Sequence, residues 1–226
     1  MAFKRSCRKI WHFIWEDNSV WSWIVNVILA YIIIKFIFYP GVGFLLHTAY
    51  PAVGVVSCSM EHNPDNCWVD CYNRGGDLNA CKQQEFTMCG KLYNDNKKLD
   101  FDGFWQECGK WYENMGITRD EFRSFDYNNG FNLGDIFIVS GRSEIHEGDI
   151  IIYSYAAERN PIIHRVVEII EEDGEVYYKT KGDHNSDSSV FEQKINKDRV
   201  FGKAIIRIPE LGWVKIWMTL LLNSIR

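Results

Sequence analysis

A chain of 226 residues with 46% apolar content is long enough for one medium domain with its own core, plus a further segment. Its net charge of −5 excludes the broadly basic face that nucleic-acid binding requires. It carries no dinucleotide-binding fingerprint, phosphate-binding loop or internal repeat.

The chain opens on a basic stretch, with Lys4, Arg5, Arg8 and Lys9 inside residues 1–19. Residues 20–38 are then almost wholly apolar and long enough to cross a bilayer as a helix. Asn26 and Lys35 are the exceptions, and Lys35 lies near one end, where a long side chain can reach the interface. Trp21, Trp23 and Tyr39 stand at the two ends as interfacial anchors, and Pro40-Gly41 punctuates the pattern. The positive-inside rule makes 1–19 a cytoplasmic tail, 20–45 a single-pass anchor in the cell membrane, and the remainder outer or lumenal. A cleaved leader is the rival, since Gly41-Val42-Gly43 offers small residues, but Phe44-Leu45-Leu46 carries the apolar run past them. Cys7 is then cytosolic, while Cys58, Cys67, Cys71, Cys81, Cys89 and Cys108 lie where disulfides persist.

Residues 46–60 hold a valine-rich run, 52–57, that reads as a strand leading to Ser59. Residues 61–130 form a polar, Cys- and Trp-rich segment with helices expected near 78–92 and 102–126, and Thr118 and Glu121 form a capping box. From 131 onward, β-branched runs between turn signals predict strands at 136–139, 149–153, 162–170, 175–180 and 200–208. The fold class is therefore mainly β, an antiparallel domain built from 46–60 and 131–212 with a Cys-rich, partly helical insertion. The tail, 213–226, is apolar but too short to span. It reads equally as a membrane-surface helix or as a helix packed on the β core.

A serine nucleophile needs a base and oxyanion donors. His164 lies in an apolar strand, sharing a face with Ile162 and Val166. A lone histidine there is more often a core residue than a catalyst. Lys181-Gly182-Asp183-His184-Asn185 is first of all a turn, though a carboxylate in it can orient a histidine.

Together these segments resemble the type I signal peptidases. Val55-Val56-Ser57-Cys58-Ser59-Met60-Glu61 resembles that family's nucleophile box, and Gly134-Asp135 and Gly148-Asp149 open strands similar to its paired Gly-Asp strands. Ile163-His164-Arg165-Val166 resembles its base box, Lys181-Gly182-Asp183-His184-Asn185 its Gly-Asp-Asn box, and Val200–Ala204 and Ile208–Trp213 its closing strands. Histidine rather than lysine in the base box is the mark of the archaeal and endoplasmic-reticulum branch. The resemblance covers about residues 20–60 and 131–217. It implies Ser59 as nucleophile, His164 as base, Ser57 and the Ser59 amide as oxyanion donors, and Val53, Val55 and Ile162 as pocket walls. It implies no cofactor and no metal. Implied partners are secretory preproteins with their signal peptides, and membrane lipid; eukaryotic members act with accessory subunits, which leaves room for them here.

Three positions depart from the family. Cys58 replaces a glycine, His62 replaces a proline, and the position of the catalytic acid holds Ser189. Asp187 is the acid expected instead, on a shorter turn, with Asp183 as turn former or as the orienting acid itself. Between the Ser-Met box and the first Gly-Asp strand the family has a short loop, whereas here the insertion intervenes. Its odd number of cysteines leads to the expectation that Cys58 tethers it by a disulfide. Zinc bound by Cys67, Cys71, Cys81, Cys89 and His62 is the rival. The competing function is a non-catalytic, membrane-anchored, disulfide-rich binding protein with a decayed triad.

Overall fold

The computed structural model describes residues 11–73, 75–155 and 160–224. The basic residues at 4–9 and Cys7 lie outside them. The chain divides into two compact units, Met1–Ala49 and Tyr50–Arg226.

In the first unit, a 27-residue helix, α1 (Val20–Leu46), is long and apolar enough to cross a membrane. Ser19 caps its start, and residues 34–38 form a π turn. The polar Asn26 is not left unpaired in the apolar run. Its Nδ2 donates to the Ile14 carbonyl at 2.8 Å, and Ser22 Oγ donates to that of Phe13 at 2.6 Å.

The second unit is built on an antiparallel seven-stranded sheet. Its strands are β1 (Ala52–Gly54), β4 (Ile136–Ser140), β5 (Ile150–Tyr153), β6 (Ile162–Glu172), β7 (Glu175–Lys181), β8 (Ile195–Asn196) and β9 (Val200–Ile208). The order across the sheet is β1-β4-β9-β5-β6-β7-β8. These strands follow the β-branched runs closely. The exceptions are the two-residue β8, where no strand was expected, and the first, expected over 52–57 but ending at Gly54. Beyond it Val55 pairs with the turn before β4, donating to Asp135 O and accepting from Gly134 N, and the chain then bends through Ser57 to Met60.

The two Gly-Asp motifs are matching turns. Asp135 accepts from Asn132 N and Asp149 from His146 N, both at 2.8 Å. Gly134 and Gly148 have φ of 87° and 90°, and a Cβ at these positions would collide with the rings of Trp213 and Phe125.

Alternation along β6 splits the core. Ile163 joins Val53, Val55, Met60, Phe137 and Ile152 in one cluster, while Val166 packs with Ile151, Tyr153, Tyr178 and Ile195 in another. The insertion has its own core of Met88, Phe104, Trp105, Tyr112 and Phe122, and Val167 of β6 joins it.

The insertion differs from expectation in three places, the first a short helix at 68–73 where none was expected. Among the described residues, its helix is confined to α2 (Trp68–Asn73), α3 (Leu78–Lys82), α4 (Phe101–Asn114) and α5 (Arg119–Ser124). In place of helix at 83–92 there is a hairpin, β2 (Phe86–Met88) and β3 (Lys91–Tyr93), turning on Cys89-Gly90 with φ of 50° and 77°. The expected 102–126 helix is broken at Met115–Thr118, where Gly116 has φ 88° and Thr118 caps α5 with Glu121 in the capping box.

Three disulfides are present among the described residues: Cys58–Cys67, Cys71–Cys81 and Cys89–Cys108. The first ties the nucleophile segment to the insertion, as expected. The tail forms α6 (Trp213–Ser224), with Ile216 buried while Val214, Trp217, Met218 and Leu221 are exposed.

Candidate active site

Ser59 sits in the bend after β1, and His164 near the start of β6. The fold brings them together across 105 residues, with Ser59 Oγ 3.0 Å from His164 Nε2. Ser57 Oγ lies 3.1 Å from Ser59 Oγ, so the two hydroxyls share a side while Cys58 points to its disulfide with Cys67. The loop after β7 closes over this pair. His184 N–H donates to Ser59 O at 2.9 Å. Gly182 packs so closely that a Cβ there would meet His164 Nε2 and Ser59 O at 2.8 Å.

The other ring nitrogen, Nδ1, is hydrogen-bonded to Glu192 Oε1. Glu192 stands in a 3₁₀ turn, Val190–Glu192, and is fully buried. Three neighbouring strands converge on its Oε1: His164 from β6, Tyr153 Oη from β5 at 3.0 Å and Thr180 Oγ1 from β7 at 3.0 Å. Its Oε2 accepts from Ser189 N at 3.0 Å. Burial alone would raise the Glu192 pKa, but the hydrogen bond and charge of His164, with the bonds from Ser189 and Thr180, lower it to about 2. A buried carboxylate on the far nitrogen of the imidazole fixes the tautomer and stabilises the imidazolium.

The two acids expected from the sequence sit elsewhere. Asp187 is exposed and accepts from Trp111 Nε1 at 2.8 Å. Asp183 is fully buried and holds Arg165, accepting from Nη2 at 2.7 Å and Nε at 3.0 Å. It also bonds His62 Nε2 and Tyr112 Oη, each at 2.8 Å. The lysines are occupied as well. Lys181 Nζ donates to Gly182 O and Asp183 O, Lys203 pairs with Asp149, and Lys179 with Glu168. Burial lowers the Lys181 pKa to about 8 despite the acids around it.

No family model matches the chain. Among curated proteins it is 35% identical over 83 residues to the signal peptidase complex catalytic subunit sec11 of Schizosaccharomyces pombe, covering 34% of this chain and 44% of that one. It is 32% identical over 96 residues to SEC11C of Homo sapiens, 39% of this chain and 50% of that one. SEC11 of Colletotrichum graminicola is 32% identical over 98 residues, 39% of this chain and 56% of that one. Over that stretch the chain is similar to signal peptidase catalytic subunits. It spans about half the length of the curated relatives it matches.

Beside these signal peptidases, Glu192 is the residue that motif reasoning missed. It lies nine residues beyond Asp183, past the position where the family carries its acid. One local signal marked it, the Ser189-x-x-Glu192 capping box that shapes the turn. The expected pocket walls are placed differently from one another. Val53 and Val55 are buried in the core, while Ile162 is half-buried on the His164 face of β6. A separate cavity of ≈ 300 Å³ opens beside Cys58, Glu61, Asp65, Trp68 and Trp213. Among the described residues, one group of metal-ligating side chains converges, Cys58, Cys67 and His184. Its two sulfurs are joined in a disulfide.

Proposed function

We propose that the chain is a membrane-anchored serine endopeptidase that removes signal peptides from secretory precursors. Ser59 is the nucleophile, His164 the general base and acid, and Glu192 the orienting carboxylate. The observation that carries this reading is the relay itself, Ser59 Oγ at 3.0 Å from His164 Nε2 with Glu192 bonded to Nδ1. Glu192 takes the place that the sequence suggested for Asp187 or Asp183.

His164 Nε2 takes the Ser59 proton as Oγ adds to the scissile carbonyl carbon. The oxyanion is held by the Ser59 amide and the Ser57 hydroxyl. His164 then passes the proton to the leaving amine, and the bond from carbonyl carbon to nitrogen breaks. Water, deprotonated by the same imidazole, cleaves the acyl ester and restores Ser59. The substrate lies extended and adds to the free edge of β1, an outer strand of the sheet. Ile162 is a wall of the pocket for small side chains before the cut, and Val53 and Val55 back the nucleophile segment from the core. The anchor and the exposed apolar face of α6 hold the enzyme at the lipid where its substrates are. The names of the relatives support assembly with accessory subunits.

Full-length chain in detergent micelles, given a radiolabelled preprotein, tests this reading. Cleavage at one bond by the wild type, lost with Ser59→Ala and with His164→Ala, is expected. Equal behaviour of wild type and Ser59→Ala would favour the non-catalytic binding module instead.

A further inference from the structure

The loop after β7 makes three contacts with the reacting pair and the nearby Glu61. The His184 N–H holds the Ser59 carbonyl, His184 Nδ1 lies 3.2 Å from Glu61 O, and Gly182 packs against both Ser59 O and His164 Nε2. The position of this loop therefore sets the approach of Ser59 to His164. What sets the loop is Asp183 between Gly182 and His184.

Asp183 has no freedom to turn. Arg165, adjacent to His164 in β6, grips both carboxylate oxygens and also donates to the carbonyls of Gly148, Asp126 and Tyr127. One guanidinium fixes the charge but leaves the side chain a torsion. Two further donors remove it. Tyr112 Oη binds Oδ1 and His62 Nε2 binds Oδ2. Both come from the insertion. Tyr112 is on α4 and fully buried, and His62 is stacked on Phe104 of the same helix with ring centroids 3.5 Å apart. The insertion grips the loop at other points, with Cys89 N–H donating to His184 O at 2.7 Å and Trp111 to Asp187. His62 stands where the family has a proline, which could not reach a carboxylate.

We propose that Tyr112 and His62 are positioning residues for the Ser59–His164 pair, acting through Asp183 on the loop 181–185. The inference rests on the peptidase reading above. It makes the insertion a built-in brace for the catalytic loop. Displacing a reacting group by about 1 Å costs on the order of a hundredfold in rate. The brace therefore acts on kcat, while substrate binding along β1 is left as it was.

The test uses full-length chain in detergent, with preprotein cleavage and amide hydrogen exchange measured on the same samples. Tyr112→Phe and His62→Leu are expected to lower kcat about 10- to 100-fold with KM changed less than about twofold. Exchange should accelerate at residues 182–185. His62→Gln keeps an N–H donor near the Nε2 position and should recover most of the rate. Tyr177→Phe, at an exposed hydroxyl bonded to Glu175, is the control. Unchanged kcat and unchanged loop exchange, with only a lower melting temperature, would make both residues merely structural and overturn the proposal. Failure of the wild type to cleave at all would overturn the peptidase reading. The exchange data alone would then decide whether these residues hold the loop.

Discussion

Glu192 reaches His164 because three strands converge on one carboxylate oxygen, whereas Asp187 is spent on Trp111 at the surface. Glu192→Gln should therefore lower kcat by about 10² to 10⁴, the scale seen when an orienting carboxylate becomes an amide. Asp187→Ala should stay near wild type in the same precursor assay. With its folded pKa lowered to about 2, Glu192 keeps its charge across the working range, and its stabilising effect is lost only as pH falls from 4.5 through 2. Glu61 has the opposite sign. Burial raises its pKa to about 7, against a lowering bond from Leu133 N and with Asp65 and Asp135 adding to the rise. The folded chain therefore binds a proton that the unfolded chain has released between pH 4.5 and 7, and stability falls as pH rises through that window. Glu61→Gln can keep the acceptor for Leu133 N–H and should remove this slope. Urea unfolding at pH 5 and pH 7.5 should show the variant gaining on the wild type by up to about 3 kcal/mol. The buried His184, lowered to about 4 mainly by desolvation, destabilises toward acid in both proteins and cancels in the comparison. A gap that does not change with pH would refute the Glu61 assignment.

At the level of elements, the disulfide Cys58–Cys67 joins the nucleophile bend to the insertion across a separation of 9 residues. A loop of that size restricts the unfolded chain by about 2–3 kcal/mol. Replacing both cysteines by serine should lower stability by about that much in denaturant titration. Loss of less than about 0.5 kcal/mol would mean that the bend is held without the bond. The longer strands of the core were legible because each is a β-branched run closed by a turn residue, and the Gly-Asp turns marked two of their starts; β8, only Ile195-Asn196, is too short to show such a run. The β2–β3 hairpin was not legible. Its two turn residues both need positive φ, which Asn-Gly would have announced, but here the first is Cys89, bridged to Cys108. The pairing of Ser59 with His164 was legible from two motifs, one following a valine-rich run and one inside an apolar strand. Glu192 was hidden because its role depends on a 3₁₀ turn folding back under β6, a tertiary event that no spacing rule records. His62 and Tyr112 were hidden for the same reason, since their partner Asp183 lies 121 and 71 residues away.

At the scale of the whole molecule, two independent arguments bear on the proposed orientation in the membrane. The basic residues Lys4, Arg5, Arg8 and Lys9 precede α1 and favour the cytoplasmic face for the N-terminus. The three disulfides all lie in the unit Tyr50–Arg226, and disulfides persist in oxidising compartments rather than the cytosol. The helix of 27 residues between them is long enough to separate the two environments. The chain carries its own reporter of this arrangement, because Cys7 lies before the helix and its other six cysteines are paired beyond it. In sealed microsomes, a membrane-impermeant maleimide should label one cysteine per chain, and Cys7→Ser should abolish the labelling. Detergent alone should add no further sites, because the remaining sulfurs are bonded; detergent with reductant should raise the count to seven. Cys7 protected until the vesicles are opened would reverse the orientation. It would also place Ser59 on the side where newly made precursors still carry their signal peptides untranslocated, a location at which the proposed reaction has no substrate strand to cut.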